Sequence, residues 1–135
     1  MDRKVDGINL RASPIRQTLG VEYLSVELGR VSAEFNPRPE FANANGTVQG
    51  GILCAFLDHL IGQSGYTLVG PEDRLITLEI SVKFIEAVWS RVVRGEGWVV
   101  KKGNAVIFCE GQIFSSGGGV AVKASASLFL RRPYK

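Results

Sequence analysis

The chain holds a single histidine, His59, and two cysteines, Cys54 and Cys109, and this scarcity disposes of several chemistries at once. One histidine and two distant cysteines give no metal-ligand spacing, so no metal site is expected. Two cysteines are too few for a disulfide framework. Cys54 as a catalytic thiol needs a base, and His59 lies five residues further on, about 140° round a helix, so the two do not pair. Both cysteines read as small core hydrophobes. Equally absent is an apolar run of the roughly 18 residues that a membrane helix needs. The limit here is residues 52–57. The first six residues, which include Asp2, Arg3, Lys4 and Asp6, hold no apolar core for a secretory signal, so a cytoplasmic location is expected. Charge of one sign is also scarce: 16 basic residues stand against 13 acidic ones, for a net charge of +3. The basic residues are spread out and carry no aromatic-rich motif, so nucleic acid is not an expected partner. A mild positive excess of this kind suits a phosphorylated small ligand.

What is present is ordinary for a globular chain. At 135 residues, 45% hydrophobic and 21% charged, the sequence predicts one domain over residues 1–135 with a core of its own. Residues 1–19 read as an N-terminal extension, in which Ser13 and Pro14 suit the start of a short helix that Gly20 ends. Strands are expected at 21–28 and 31–35, joined by a turn at Gly29 and Arg30. Pro37 and Pro39 then open a loop that reaches Val48. Apolar residues at 52, 53, 56, 57, 60, 61 and 68 fit one face of a helix from Gly50 to about Val69, closed by Gly70 and Pro71. After it, Ile76, Leu78, Ile80, Val82 and Phe84 alternate with Thr77, Glu79, Ser81 and Lys83, which predicts a half-buried strand with the first set inward. Further strands are expected at 90–101, 105–114 and 120–130. The glycines at 117–119 read as a hairpin turn, because a strand follows them and not a helix. One long helix among about six antiparallel strands makes an α+β fold with the helix lying on a curved sheet.

The chemistry concentrates in residues 43–58. A polar, turn-rich loop ends in Gly50 and Gly51, where a helix begins and where its first N–H groups have no internal partner. Those groups and the helix dipole favour developing negative charge, such as an oxyanion. Further along stands Asp58, one carboxylate on an apolar helix, placed to act as base or nucleophile. Positions three, four and seven away from it are Gly51, Cys54, Gly62 and Gly65, with Ala55 and Ile61 beside them. Each helical glycine costs about 1 kcal/mol against alanine, so this small-residue stripe points to close packing or a ligand. Asp58 capping a neighbouring backbone N–H is the plainer reading. Gly50 and Asp58 are eight residues apart, about 12 Å along one helix. One copy of the helix therefore does not bring both to one reacting atom, and any site they form spans a symmetric dimer.

In this segment the chain resembles the hotdog-fold thioesterases, in the group that includes the phenylacetate-pathway and human THEM-type acyl-CoA thioesterases. The resemblance covers about residues 20–130. It rests on a stretch of the form Asn-x-x-Gly-Thr-x-His-Gly-Gly with an acid eight residues after the first glycine of the pair, followed by a β-meander. Here the positions are Asn43, Gly46, Thr47, Gln49, Gly50, Gly51 and Asp58, and strand 75–84 follows. The resemblance implies a hotdog fold, with one long central helix wrapped by five to six strands. It further implies hydrolysis of an acyl-CoA at the interface of a homodimer, alone or as a dimer of dimers, with no cofactor beyond the CoA of the substrate. The Gly50 N–H would polarise the thioester carbonyl, and Asp58 of the facing subunit would activate water or attack directly. Asn43 would hold the water or the thioester, Thr77 would orient the acid, and Gly46 and Gly51 would border the substrate. Thr77 fits least well, because it alternates away from the apolar side of its strand. The departure from the pattern is Gln49 in place of the usual His. Gln hydrogen-bonds but does not titrate near neutral pH. If the position only braces the loop, Gln substitutes for His; if it carries a proton, activity falls about 10²- to 10⁴-fold.

Two other functions compete. A non-catalytic acyl-thioester-binding or regulatory module on the same fold is kept alive by Gln49. A hydratase or dehydratase wants a His with an acid, and His59 is about 100° round the helix from Asp58. Phe56, Phe84 and Trp89 are candidates to line an acyl pocket and equally candidates for plain core.

Overall fold

An apolar helix of 17 residues needs a covering surface, and one antiparallel sheet supplies it. The computed structural model describes residues 3–5 and 8–133; residues 1–2 and 6–7 of the expected extension lie outside the described residues. The chain begins with a small hairpin, β1 (Arg3–Val5) and β2 (Ile8–Leu10), which the sequence pattern does not announce. Helix α1 (Pro14–Leu19) follows, with Pro at its start and Gly20 at φ +77° as its C-cap. Next come β3 (Glu22–Glu27), β4 (Arg30–Phe35), a single 3₁₀ turn (Pro39–Phe41) and the long helix α2 (Gly50–Tyr66). The chain finishes with β5 (Arg74–Phe84), β6 (Val93–Lys102), β7 (Val106–Phe114) and β8 (Val120–Arg131).

The last six strands form one sheet in the order β3-β4-β6-β7-β8-β5, antiparallel throughout. Helix α2 packs against β4, β5, β6, β7 and β8 at once, so the sheet wraps it, and the result is the hotdog fold. Leu53, Phe56, Leu57, Leu60 and Ile61 of α2 are buried against Phe35, Ile107, Ile113 and Leu128 of the sheet. Two glycines make the close seat possible. Gly97 and Gly111 are register partners on β6 and β7. A Cβ at Gly97 would stand 2.8 Å from the backbone of Leu60 and Ile61, and one at Gly111 would stand 3.2 Å from the side chains of Leu57 and Ile61. The helix therefore lies directly on the sheet's main chain.

Several boundaries differ from the sequence expectation. Helix α2 ends at Tyr66 and not near Val69, because Thr67 turns its hydroxyl back to the Ser64 carbonyl and accepts the Gly29 N–H at 2.7 Å. Strand β6 starts at Val93 and not at Ser90, since Arg91 N bonds to Trp89 O in a tight local turn. The largest correction concerns β5. Its register with β8 pairs Thr77 with Leu128 and then Glu79 with Ser127, leaving Leu78 as an extra residue in a β-bulge. A bulge breaks the period-two alternation, so the faces exchange at that point. Leu75 and Thr77 face α2 before it, and Ile80, Val82 and Phe84 face α2 after it. Ile76 and Leu78, expected inward, are instead 47% and 58% exposed.

Candidate active site

The bulge places a hydroxyl on an acid. Thr77 Oγ1 donates to Asp58 Oδ1 at 2.8 Å, joining the outermost strand to the middle of α2. Both residues face a groove of about 310 Å³, walled on one side by Arg11, Ser13 and Ile15 and floored by Ala55, Gly62 and Tyr66 of α2. Asp58 is half-buried there, with one carboxylate oxygen steadied by Thr77. The small-residue stripe is only partly what its spacing suggests. A Cβ at Gly51 or Gly62 would meet no described atom within 4 Å, so this side of α2 is open. Gly65 belongs to the packing, because a Cβ there would stand 2.6 Å from Leu75 and 3.2 Å from Leu128. Cys54 lies one turn before Asp58, and its thiol pKa is pushed up, first by burial and then by the Asp58 charge. It is no nucleophile near neutral pH.

The start of α2 is built from main chain. Asn43 closes the loop before it: its Oδ1 accepts from Asn45 N and Thr47 N, and its Nδ2 donates to Thr47 Oγ1 at 2.9 Å. Gly46 completes the turn at φ +82°, a conformation that favours glycine. These bonds stay inside the loop, so the structure sets Asn43 to shape it and does not bring its side chain to Asp58. Val48 N then bonds to Val88 O, and Gln49 N to Phe41 O, which fixes where the helix begins. Gln49 is the N-cap in extended conformation (φ −58°, ψ 133°), and its exposed side chain makes no capping bond. Its carbonyl receives Ile52 N at 2.9 Å and Leu53 N at 3.3 Å. Among the described residues no acceptor takes the N–H groups of Gly50 and Gly51. Phe84 lies over Gly50, with its ring 3.2 Å from where a Cβ would be. Trp89 is 55% exposed and bridges Thr47 through the backbone. Phe56, by contrast, is fully buried in the core.

His59 borders the same groove, but its hydrogen bond goes to Tyr23 and not to Asp58. It is buried, with Nε2 2.8 Å from the Tyr23 hydroxyl and the Arg16 guanidinium packed on the far side of the Tyr23 ring. Burial foremost, then the Arg16 charge, lowers its pKa to about 4, so it stays neutral near pH 7. Among the described residues no group of three or more His, Cys, Asp or Glu is arranged to hold a metal ion. The sequence pattern misses the groove's outer wall. Gln63 receives Arg11 N at 2.9 Å and donates to Arg11 O at 2.8 Å, so its side chain pins the N-terminal arm onto α2 as a strand would. Arg11 in turn reaches Gly70 O and Asp73 O and stacks over Tyr66 at 4.3 Å. The one advance signal is a glutamine on the apolar helix, which has to find a buried partner.

Comparison with known proteins agrees with this architecture. Residues 45–122 match the thioesterase superfamily, and the chain belongs to that family. It is a thioester hydrolase. A relative from Saccharolobus solfataricus, provisionally named an esterase, is 28% identical over 130 residues, covering 96% of this chain and 92% of its own. Among solved structures, a phenylacetic acid degradation-related protein from Ralstonia eutropha, provisionally named a thioesterase, superposes with a TM-score of 0.82 at 23% identity, over 88% of this chain and 92% of the other. A Bacillus halodurans protein solved with CoA superposes with a TM-score of 0.81 at 22% identity, over 91% and 82%. Among the described residues no helix is long and apolar enough to cross a membrane.

Proposed function

We propose that the protein hydrolyses acyl-CoA thioesters at a site completed by two copies of the chain. The observation that carries this reading is the separation of the two working parts on one helix. The free N–H groups sit at Gly50 and Gly51, and the oriented carboxylate sits eight residues on at Asp58, about 12 Å away. A thioester carbonyl at the first is out of reach of the second within one chain. In a two-fold dimer, α2 of one copy lies beside α2 of the other, and each start meets the partner's middle. The open face of α2 at Gly51 supports such an approach, as does the outermost strand β5 with its exposed Ile76 and Leu78.

The chemistry then follows from the parts. The thioester oxygen accepts the Gly50 N–H, which the helix dipole reinforces as negative charge builds on it. Asp58, held by Thr77, takes a proton from water as the water oxygen attacks the carbonyl carbon, or attacks that carbon itself. On the first path Asp58 returns the proton to sulfur as the C–S bond breaks, so CoA leaves as the thiol and the free acid departs. On the second, CoA leaves with a proton from solvent, and water then hydrolyses the acyl–Asp58 anhydride to the free acid. No cofactor enters this scheme. Asn43 and Gly46 act through the loop that sets the helix start, and Gly51 borders the substrate. Gln49 acts through its backbone, so the missing histidine removes no step. The CoA in the Bacillus halodurans relative favours CoA as the carrier.

The test is turnover by the purified protein on a panel of acyl-CoAs, read as released thiol. Hydrolysis of at least one, by a protein that runs as a dimer or larger, is the expected result. Tight binding with no turnover on any would make the chain a non-catalytic acyl-thioester-binding module.

A further inference from the structure

The groove beside Asp58 has a definite direction and a definite end. From Asp58 it runs along α2 over Gly62, where a side chain would point into empty space, to the Tyr66 ring. Tyr66 does not swing aside, because its hydroxyl accepts the Leu75 N–H at 3.1 Å and Arg11 stacks on its face at 4.3 Å. Arg11 is itself fixed by two carbonyls, Gly70 O at 2.7 Å and Asp73 O at 2.8 Å. The opposite wall is equally firm, since the two hydrogen bonds between the Gln63 side chain and the Arg11 main chain hold the arm against the helix. Ile15 of α1 stands above this wall, 41% exposed. Asp58 and Tyr66 are eight residues apart, so the run between them is about 12 Å long. A volume of about 310 Å³ lies at the small end of ligand pockets.

We propose that this groove takes the acyl group, that it admits short acyl groups and turns away long fatty acyl chains, and that Gly62 sets the limit. The inference rests on the proposed thioester hydrolysis, with Asp58 at the reacting carbonyl. The acyl group then leaves that carbonyl toward Gly62 and Tyr66, the direction in which the groove runs from Asp58. Ala55 and Gly62 give it a smooth floor, Ile15 an apolar wall, and the Tyr66–Arg11 pair a stop. Burying methylenes on this floor favours binding until the stop is reached, and further methylenes must be left in water or force the arm away.

The experiment measures kcat/KM for acetyl-, butyryl-, hexanoyl- and palmitoyl-CoA with the wild-type protein and with Gly62→Leu and Ile15→Phe. Wild type is expected to use palmitoyl-CoA at least about tenfold less efficiently than butyryl-CoA. In Gly62→Leu the ratio of hexanoyl to acetyl efficiency should fall a further tenfold or so. Ile15→Phe narrows the groove from its exposed side, where folding is not at risk, and should move that ratio the same way. Thermal melts accompany each variant. Palmitoyl-CoA as the best substrate, or ratios that stay flat in both variants, would overturn the assignment while leaving the hydrolase reading intact. No turnover of any acyl-CoA by the wild-type protein would remove both.

Discussion

The two regions of α2 on which the proposed function rests are made of different materials. At its start the groups offered to a substrate are main-chain N–H groups of Gly50 and Gly51, held by a loop whose hydrogen bonds close on itself. In its middle the offered group is a side chain, Asp58, held by another side chain, Thr77, from the strand that follows the helix. A backbone donor survives many side-chain changes as long as the loop keeps its course, whereas a carboxylate survives almost none. This fits Gln49 at the position where the resemblance implies His: its carbonyl and N–H do the structural work, and its side chain makes no capping bond.

That asymmetry sets an order of effects. Asp58→Asn keeps size and hydrogen bonding but loses the base, and kcat should fall about 10²- to 10⁴-fold with the melting temperature little changed. A rate unaffected by this change would end the side-chain half of the account. Gly50→Pro comes next. Proline is tolerated at the first helical position, and Gln49 already has the extended backbone that a residue before proline prefers. The variant thus deletes the N–H with little cost to the helix backbone, the Phe84 ring shifting slightly to admit the new side chain, and kcat should drop about 10²- to 10³-fold. Full activity would instead move the carbonyl to Gly51. Thr77→Ala should cost about tenfold through loss of the bond that orients Asp58, with Thr77→Ser restoring most of it. Equal losses in both would mean that Thr77 matters for packing alone. Gln49→Ala is the smallest, within about threefold of wild type in kcat/KM. A large loss there would give the Gln49 side chain a role in the reaction.

Much of this could be read from the sequence, and the exceptions share a cause. The long helix, the order of strands, Gly50 and Asp58 are carried by local pattern: apolar periodicity, a glycine pair after a turn-rich loop, and a carboxylate among apolar residues. Thr77 reads as facing the wrong way because the bulge at Leu78 exists only in the pairing of β5 with β8. Gly97 and Gly111 are unremarkable as single strand glycines and gain their meaning only as register partners beneath Leu60 and Ile61. The arm over the groove is held by Gln63 bonding to main chain, which no side-chain pattern records. Gly65 is the stripe member that serves close packing, and which of packing or ligand it meets is set by Leu75 and Leu128, which come from β5 and β8.

The central claim is that the start of one α2 works with the middle of another. Subunit complementation tests it directly. Gly50→Pro and Asp58→Asn proteins, each nearly inactive alone, are unfolded together, refolded and assayed against wild type treated in the same way. If sites are shared across a two-fold interface, half of the dimers are mixed, and each mixed dimer holds one intact site and one with both defects. Activity should then recover to about one quarter of wild type. Mixed dimers with no activity above that of the parents would place both groups in one subunit and contradict the account.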